Sequence, residues 1–312
     1  MTMKIGFVGL GAMGLPMAMN LVKGGHDVTG FDLSADALAE LEKAGGTAGA
    51  SGAAAAEGAD LVVTMLPKAE HVEAAIFGET GILEGAGAET VLVNMSTILP
   101  EETDAISARL AGRMAMVDAP VGRSALEAKR GALLILASGS EADKEKARPA
   151  FECMGNETID CGAIGNGSRV KIINNFMGVS LNALTAEALT LAEASGLDIR
   201  LALDVMRGTI AGIGHMKVTY PNKVLKGDLL AGFPSDLAHK DLGLAIRLAE
   251  STNVPTYMGA AALQTYSIVR AEGRGRQDYT AVYPTLRGLA GLPEAIPYDA
   301  SGDEEYDPFK KD

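Results

Sequence analysis

The chain has no tryptophan, two cysteines and four histidines in 312 residues, and aromatic residues make up only 4% of it. So few flat rings leave no stacking platform for single-stranded nucleic acid. Cations are also scarce: 27 Lys and Arg against 40 Asp and Glu give a formal net charge of −13. That is the wrong sign for a protein that lies along a phosphate backbone. No apolar run reaches the roughly 18–20 residues that span a bilayer. Cys153 and Cys161 can close a disulfide on count alone, but nothing marks an oxidising compartment. No Cys/His cluster has metal-ligand spacing. His26, His71, His215 and His239 are scattered and read as surface or locally bonded imidazoles. The opening MTMKIGFVGLGAMG is only superficially like a signal peptide, because four glycines in nine residues break its apolar run. These absences predict a soluble, cytoplasmic protein with no membrane, nucleic-acid or metal partner.

What is present supports a large core. Hydrophobic residues make up 47% of the chain, enough for two domains at this length. In the first half, strand-like runs at 4–10, 27–32, 59–66, 89–96, 114–117 and 132–137 alternate with helical spacing at 12–25, at 34–46 and from 96 onward. GAAAAEGA reads as a further short helix. Strands alternating with helices predict an α/β fold with a parallel, doubly wound sheet and ligands at the C-terminal ends of its strands. Past 162–167 the pattern changes. VKIINNFMGVSLNALTAEALTLAEASGLD keeps helical spacing to about Ser195 without a proline, which predicts a helix of nearly thirty residues and a hinge. Ile199–Arg207, 236–251, 255–272 and 279–289 are also helical in pattern, so the second domain is expected to be all-helical.

GLGAMG sets Gly9, Gly11 and Gly14 in G-x-G-x-x-G spacing. In a chain with 38 glycines the motif alone carries little. Its context carries more: it follows a predicted strand, opens a predicted helix, and precedes an acid, Asp32, at the end of the next strand. Gly9 permits the tight turn, Gly11 lets the backbone approach a pyrophosphate, and Gly14 lets the helix pack close to the strand. The helix N-terminus, with Ala12 and Met13, supplies N–H donors and positive potential. Asp32 is placed to accept hydrogen bonds from both adenine-ribose hydroxyls. A 2′-phosphate there would meet a like charge, and no arginine follows directly, so NAD(H) is favoured over NADP(H). The competing reading is a structural glycine turn in another α/β protein.

In SRVKIINNFMG, Lys171 and Asn175 are four residues apart and share a helix face, with Asn174 beside them. Such a lysine can donate a proton to a carbonyl oxygen as hydride reaches the carbon, while Asn175 orients the substrate. On spacing alone, a lysine on a helix is more often solvated.

These stretches, with MLP at 65–67, NMST at 94–97, DAPV at 118–121, KIINN at 171–175 and LAHKDL at 237–242, resemble the β-hydroxyacid dehydrogenases of the 3-hydroxyisobutyrate dehydrogenase class. The resemblance covers nearly the whole chain. It implies that Lys171 is the catalytic acid/base and Asn175 its substrate-orienting partner. It also implies that Thr97 and Lys240 line the nicotinamide side, that Leu66 and Pro67 pass close to the cofactor, and that the protein is a homodimer or homotetramer with the long helix in the interface. The domains expected are 1–164, an NAD-binding Rossmann domain; 165–297, an all-helical substrate and dimerisation domain; and 298–312, an acidic mobile tail.

One family motif is altered. After the Pro-Val step most members carry Ser-Gly-Gly, whose amides and hydroxyl hold the substrate carboxylate. Here the positions read Gly122-Arg123-Ser124. This variant, with GTIAGIGH, PNKVLKGDL and GRGRQD, is similar to the branch of the family that reduces a sulfonated three-carbon aldehyde with NADH. A sulfonate is tetrahedral, bulky and always ionised, and a guanidinium supplies several donors with a permanent charge. Ser124 adds a hydroxyl, and Asn174 with backbone amides near Gly178 reaches the remaining oxygen. Three other readings stand beside this one: a carboxylate semialdehyde reductase or hydroxyacid dehydrogenase; a non-catalytic NAD-binding scaffold; and, for Arg123 itself, a solvent-facing side chain paired with Glu127.

Overall fold

The computed structural model describes residues 2–216, 218–293, 295, 296 and 298. Apart from Tyr298, the acidic tail lies outside the described residues. The chain divides into two compact units, one running to Met177 and the other beginning at Gly178.

The first unit alternates strands and helices. Its elements are β1 (Lys4–Val8), α1 (Gly14–Lys23), β2 (Asp27–Phe31), α2 (Ala35–Lys43), β3 (Thr47–Ala48), α3 (Gly52–Ala56), β4 (Leu61–Thr64), α4 (Ala69–Phe77) and α5 (Ile82–Gly85). Then come β5 (Val91–Asn94), α6 (Pro100–Leu110), β6 (Ala115–Asp118), β7 (Val121–Gly122), α7 (Ala125–Lys129), β8 (Leu133–Ser138), α8 (Glu141–Met154) and β9 (Gly155–Gly162). One sheet runs β3-β2-β1-β4-β5-β6-β8-β7, with β9 paired to β8. Every residue of β4 and β5 is buried, as expected for parallel strands covered on both faces. The pleat divides their side chains between two cores. Ile5, Phe7, Leu61, Val63, Val91 and Val93 pack with Met17, Leu21 and Phe151 on one face. Val8, Val62 and Leu92 pack with Val72, Ile76, Ile106 and Leu110 on the other. Each such side chain contributes roughly 1.5–3 kcal/mol by burial.

The sheet is not wholly parallel. β8 runs antiparallel to β6 and β7, because only residues 123–132 separate β7 from β8, fewer than the dozen or so that a parallel crossover needs. β9, whose residues are mostly exposed, is parallel to β8.

α9 (Asn166–Ala194) runs for 29 residues, and the boundary between the units falls within it. The second unit continues with α10 (Ile199–Arg207), α11 (Ile210–Ile213), α12 (Thr219–Asn222), α13 (Ser235–Ser251), α14 (Tyr257–Ala271) and α15 (Val282–Leu289). Its described residues form no strand beyond an isolated bridge between Pro234 and Asp278. Glu187 on α9 accepts hydrogen bonds from the first amides of α14, at Met258 and Gly259. Among the described residues no helix is long and apolar enough to cross a membrane, and both cysteines are free.

Candidate active site

The glycine loop between β1 and α1 has the geometry its spacing calls for. Gly9 has φ of 99°, and a Cβ there would lie 2.4 Å from the Met65 carbonyl oxygen. A Cβ on Gly14 would lie 1.9 Å from the Gly9 oxygen and 3.1 Å from the Phe7 ring, so α1 rests directly on the loop and β1. Gly11 faces open space. Met13 offers α1 no side-chain cap, which leaves the amides and positive end of this helix suited to a phosphate. Asp32, at the end of β2, accepts from Leu10 N–H at 2.6 Å and Ser34 N–H at 2.8 Å, one on each oxygen. Each oxygen keeps acceptor capacity for a ribose hydroxyl.

The tips of β4 and β5 are tied together. Leu66 N–H donates to Ser96 Oγ at 2.9 Å, and buried Asn94 accepts from Thr64 Oγ1 and from Ser96 N–H. Pro67 and Thr97 line a cavity of about 340 Å³ with Lys68, Leu99, Glu102 and Ile172. Ile172 is the neighbour of Lys171, so two expected cofactor positions and the expected catalytic turn border one space. A larger cavity in the second unit, about 640 Å³ and lined by Lys226, Arg274 and Arg287 among others, holds none of the expected site residues.

Lys171 lies in the second turn of α9 and is only 9% exposed. Its ammonium meets no acceptor among the described residues, and burial pushes its pKa below the ordinary lysine value. Asn174 and Asn175 follow on the exposed side. Gly178 opens the second unit with nothing within 4 Å of its Cβ position. Lys240 also belongs to the second unit, where it is exposed on α13 and paired with Asp241 at 2.9 Å.

Asp118, Ser138 and Ser168 are fully buried and were not singled out from the sequence. Asp118 ends β6 and accepts from Ser168 N–H at 2.8 Å and Ser168 Oγ at 2.9 Å, close to the start of α9. Burial pushes its carboxyl up, against the pull of the Ser168 and Ser138 donors. The pairing is invisible to a local reading because its partners are 50 residues apart.

The altered loop is arranged differently from the sequence expectation. Arg123 has φ of 74°, and its guanidinium donates to Glu157 Oε2 at 2.8 Å, to the Ala132 carbonyl at 2.6 Å and to Asn156. Its acidic partner is thus Glu157 on β9, not Glu127, because the left-handed turn carries the side chain away from α7. Ser124 caps α7. Its hydroxyl and its N–H both donate to Glu127, at 2.5 and 3.0 Å, which holds the Glu127 carboxyl below its usual pKa. Ser-x-x-Glu is a capping-box signal that the sequence carries openly. The structure therefore gathers Gly9, Gly11, Gly14 and Asp32 at one loop, and Pro67, Thr97 and Ile172 around one cavity. Arg123 and Ser124 are held by acids of their own.

A family model described as the NAD binding domain of 6-phosphogluconate dehydrogenase matches residues 4–165. A second, described as NAD-binding of NADP-dependent 3-hydroxyisobutyrate dehydrogenase, matches residues 165–286. The chain is 46% identical over 289 residues to 3-sulfolactaldehyde reductase of Escherichia coli (strain K12), covering 92% of this chain and 97% of that one. It is 36% identical over 286 residues to NAD-dependent L-serine dehydrogenase of Pseudomonas aeruginosa, covering 89% and 96%. The solved structure of Mycobacterium tuberculosis 3-hydroxyisobutyrate dehydrogenase with L-serine superposes with a TM-score of 0.64 at 33% identity, covering 92% of this chain and all of that one.

Proposed function

The chain belongs to the 3-hydroxyisobutyrate dehydrogenase family and is an NAD-dependent oxidoreductase, and from that premise we propose that it uses NADH to reduce 3-sulfolactaldehyde to 2,3-dihydroxypropane-1-sulfonate. The observation that carries this reading is Gly122-Arg123-Ser124 at the acid-binding step after Asp118-Ala119-Pro120-Val121. When bound, the reduced nicotinamide supplies a hydride to the carbonyl carbon. The Lys171 ammonium donates the proton that completes the alcohol, and Asn175 orients the carbonyl. Asp32 favours NADH over NADPH by accepting the ribose 2′-hydroxyl, which in NADPH is replaced by a phosphate of like charge.

Arg123 supplies a fixed fork and a permanent charge for the sulfonate. Its present partner is another anion, the half-exposed Glu157. A surface pair of this kind is worth about 0–1 kcal/mol, so giving up Glu157 alone costs little, while the bonds from the guanidinium to the Ala132 carbonyl and Asn156 hold it at the loop. Ser124 changes partner from Glu127 in the same way. Asn174, on the same unit, completes the site in this reading. Exposed Ile173, Phe176 and Val179 on α9 are the apolar surface that a homodimer or homotetramer would cover, a state that solution mass measurement checks.

Arg123→Gly tests the assignment. It should lower kcat/KM on 3-sulfolactaldehyde at least tenfold, about 1.4 kcal/mol, while the Kd for NADH stays unchanged. Undiminished turnover of the sulfonate would overturn it. The second reading, a carboxylate semialdehyde reductase, is favoured by one observation: the anion that Arg123 holds is itself a carboxylate.

A further inference from the structure

We infer that Asp118 is a positioning residue for the reaction: with Ser168 it fixes the first turn of α9 and thereby the place of the Lys171 ammonium relative to the substrate loop. The inference rests on the reading of Lys171 as proton donor.

Asp118 stands at a junction. β6 ends on it, and the next five residues lead through Pro120 to Arg123. Its side chain turns to the other functional element. Oδ2 accepts from Ser168 N–H at 2.8 Å and from Ser138 Oγ at 3.2 Å, and Oδ1 accepts from Ser168 Oγ at 2.9 Å. Ser138 Oγ in turn accepts from Gly167 N–H at 3.1 Å. Gly167 lets this contact close, since a Cβ there would lie 2.5 Å from the Leu136 oxygen and 2.9 Å from the Asp118 oxygen. The start of α9 is thus seated directly on the ends of β6 and β8.

The network also has a direction. A carboxylate only accepts, so the Ser168 hydroxyl proton points to Asp118. Thr103 Oγ1 on α6, 3.0 Å from Ser168 Oγ, must then be the donor to Ser168. Lys171 follows Ser168 by three residues, about 4.5 Å along the helix axis. Its own ammonium has no acceptor among the described residues, so no hydrogen bond of its own positions it. The seat of α9 does so, and the same aspartate starts the loop that carries the acid-binding residues. Proton transfer requires the donor within hydrogen-bond reach of the carbonyl oxygen, so loosening this seat should slow the chemical step more than it weakens binding.

The test uses Ser168→Ala, which removes the hydroxyl but leaves the carboxylate and the Ser168 N–H bond, with Asp118→Asn and Lys171→Ala for comparison. The expected result is a single-turnover rate of NADH oxidation lowered about tenfold in Ser168→Ala, with KM for the aldehyde and Kd for NADH within about twofold of the parent. In a Lys171→Ala background the same change should alter the residual rate by less than about twofold, because both substitutions act through one group. A parental rate in Ser168→Ala, or an equal loss in both backgrounds, overturns the inference. Full activity of Lys171→Ala alone would instead overturn the reading of Lys171. If Asp118→Asn does not fold, Ser168→Ala still decides.

Discussion

Arg123 Nη2 lies 2.8 Å from Glu157 Oε2, so the cation expected at the substrate loop already holds a negative charge from β9. Substrate must compete with that carboxylate. Glu157→Gln removes the competitor and keeps the shape. KM for the sulfonated aldehyde should then fall, by about fivefold at most given 0.2–1 kcal/mol for an exposed pair, with kcat unchanged. A rise in KM would mean that Glu157 holds Arg123 in its working position.

Asp32 binds the loop as well as the expected ribose, through Leu10 N–H and Ser34 N–H. Asp32→Ala should raise KM for NADH far more than for NADPH, because NADH loses an acceptor for its 2′-hydroxyl whereas the 2′-phosphate of NADPH escapes a like charge. Steady-state kinetics with both cofactors checks this. Equal rises would assign Asp32 to loop structure alone.

Lys171 is buried, and burial lowers its pKa. In the proposed role of Lys171 reduction needs the ammonium, so kcat/KM for aldehyde reduction should fall as pH rises through a value below that of an ordinary lysine. Alcohol oxidation needs the neutral amine and should rise through the same value. The sign for stability follows from linkage: below the lowered pKa the folded state holds a buried charge at full cost, and that cost fades as pH rises. Lys171→Met should therefore raise Tm at neutral pH while turnover falls. A rate profile flat in both directions up to the ordinary lysine value would contradict the assignment.

In the second unit, buried Asp278 accepts from Gly232 N–H, Phe233 N–H, Thr280 N–H and Thr280 Oγ1. Burial alone would raise its pKa, but these donors outweigh it and the carboxyl is held below its usual value. Its stabilisation is therefore full above the ordinary aspartate pKa and lost as pH falls through the lowered one. Asp278→Ala should cost about 1–3 kcal/mol at pH 7, read by urea unfolding, with the difference from the parent narrowing in acid. An unchanged unfolding midpoint at pH 7 would refute it.

The residues differ in how openly the sequence declares them. The glycine loop was legible because two of its glycines answer a local need: φ of 99° at Gly9 and a 1.9 Å approach at Gly14. α9 and α10 were legible because helical spacing runs unbroken through them. β9 was not, since Asn156 to Asp160 are exposed and carry no apolar period. Nor was the antiparallel run of β8, which follows from a short connection and not from composition. Asp118 lay in plain view within DAPV, but its partner is set by tertiary contact 50 residues on. Arg123 was legible as an unusual residue at the acid-binding step; the competing, solvent-facing reading offered Glu127 as its partner, and the pairing with Glu157, 34 residues on, lies beyond any local reading.

Substrate choice tests the central claim most directly. With NADH as cofactor, kcat/KM is to be compared on 3-sulfolactaldehyde, tartronate semialdehyde, succinate semialdehyde and methylmalonate semialdehyde. The account predicts that the sulfonate is preferred by about tenfold or more, equivalent to about 1.4 kcal/mol in transition-state binding. A tenfold preference for any of the carboxylates would contradict it.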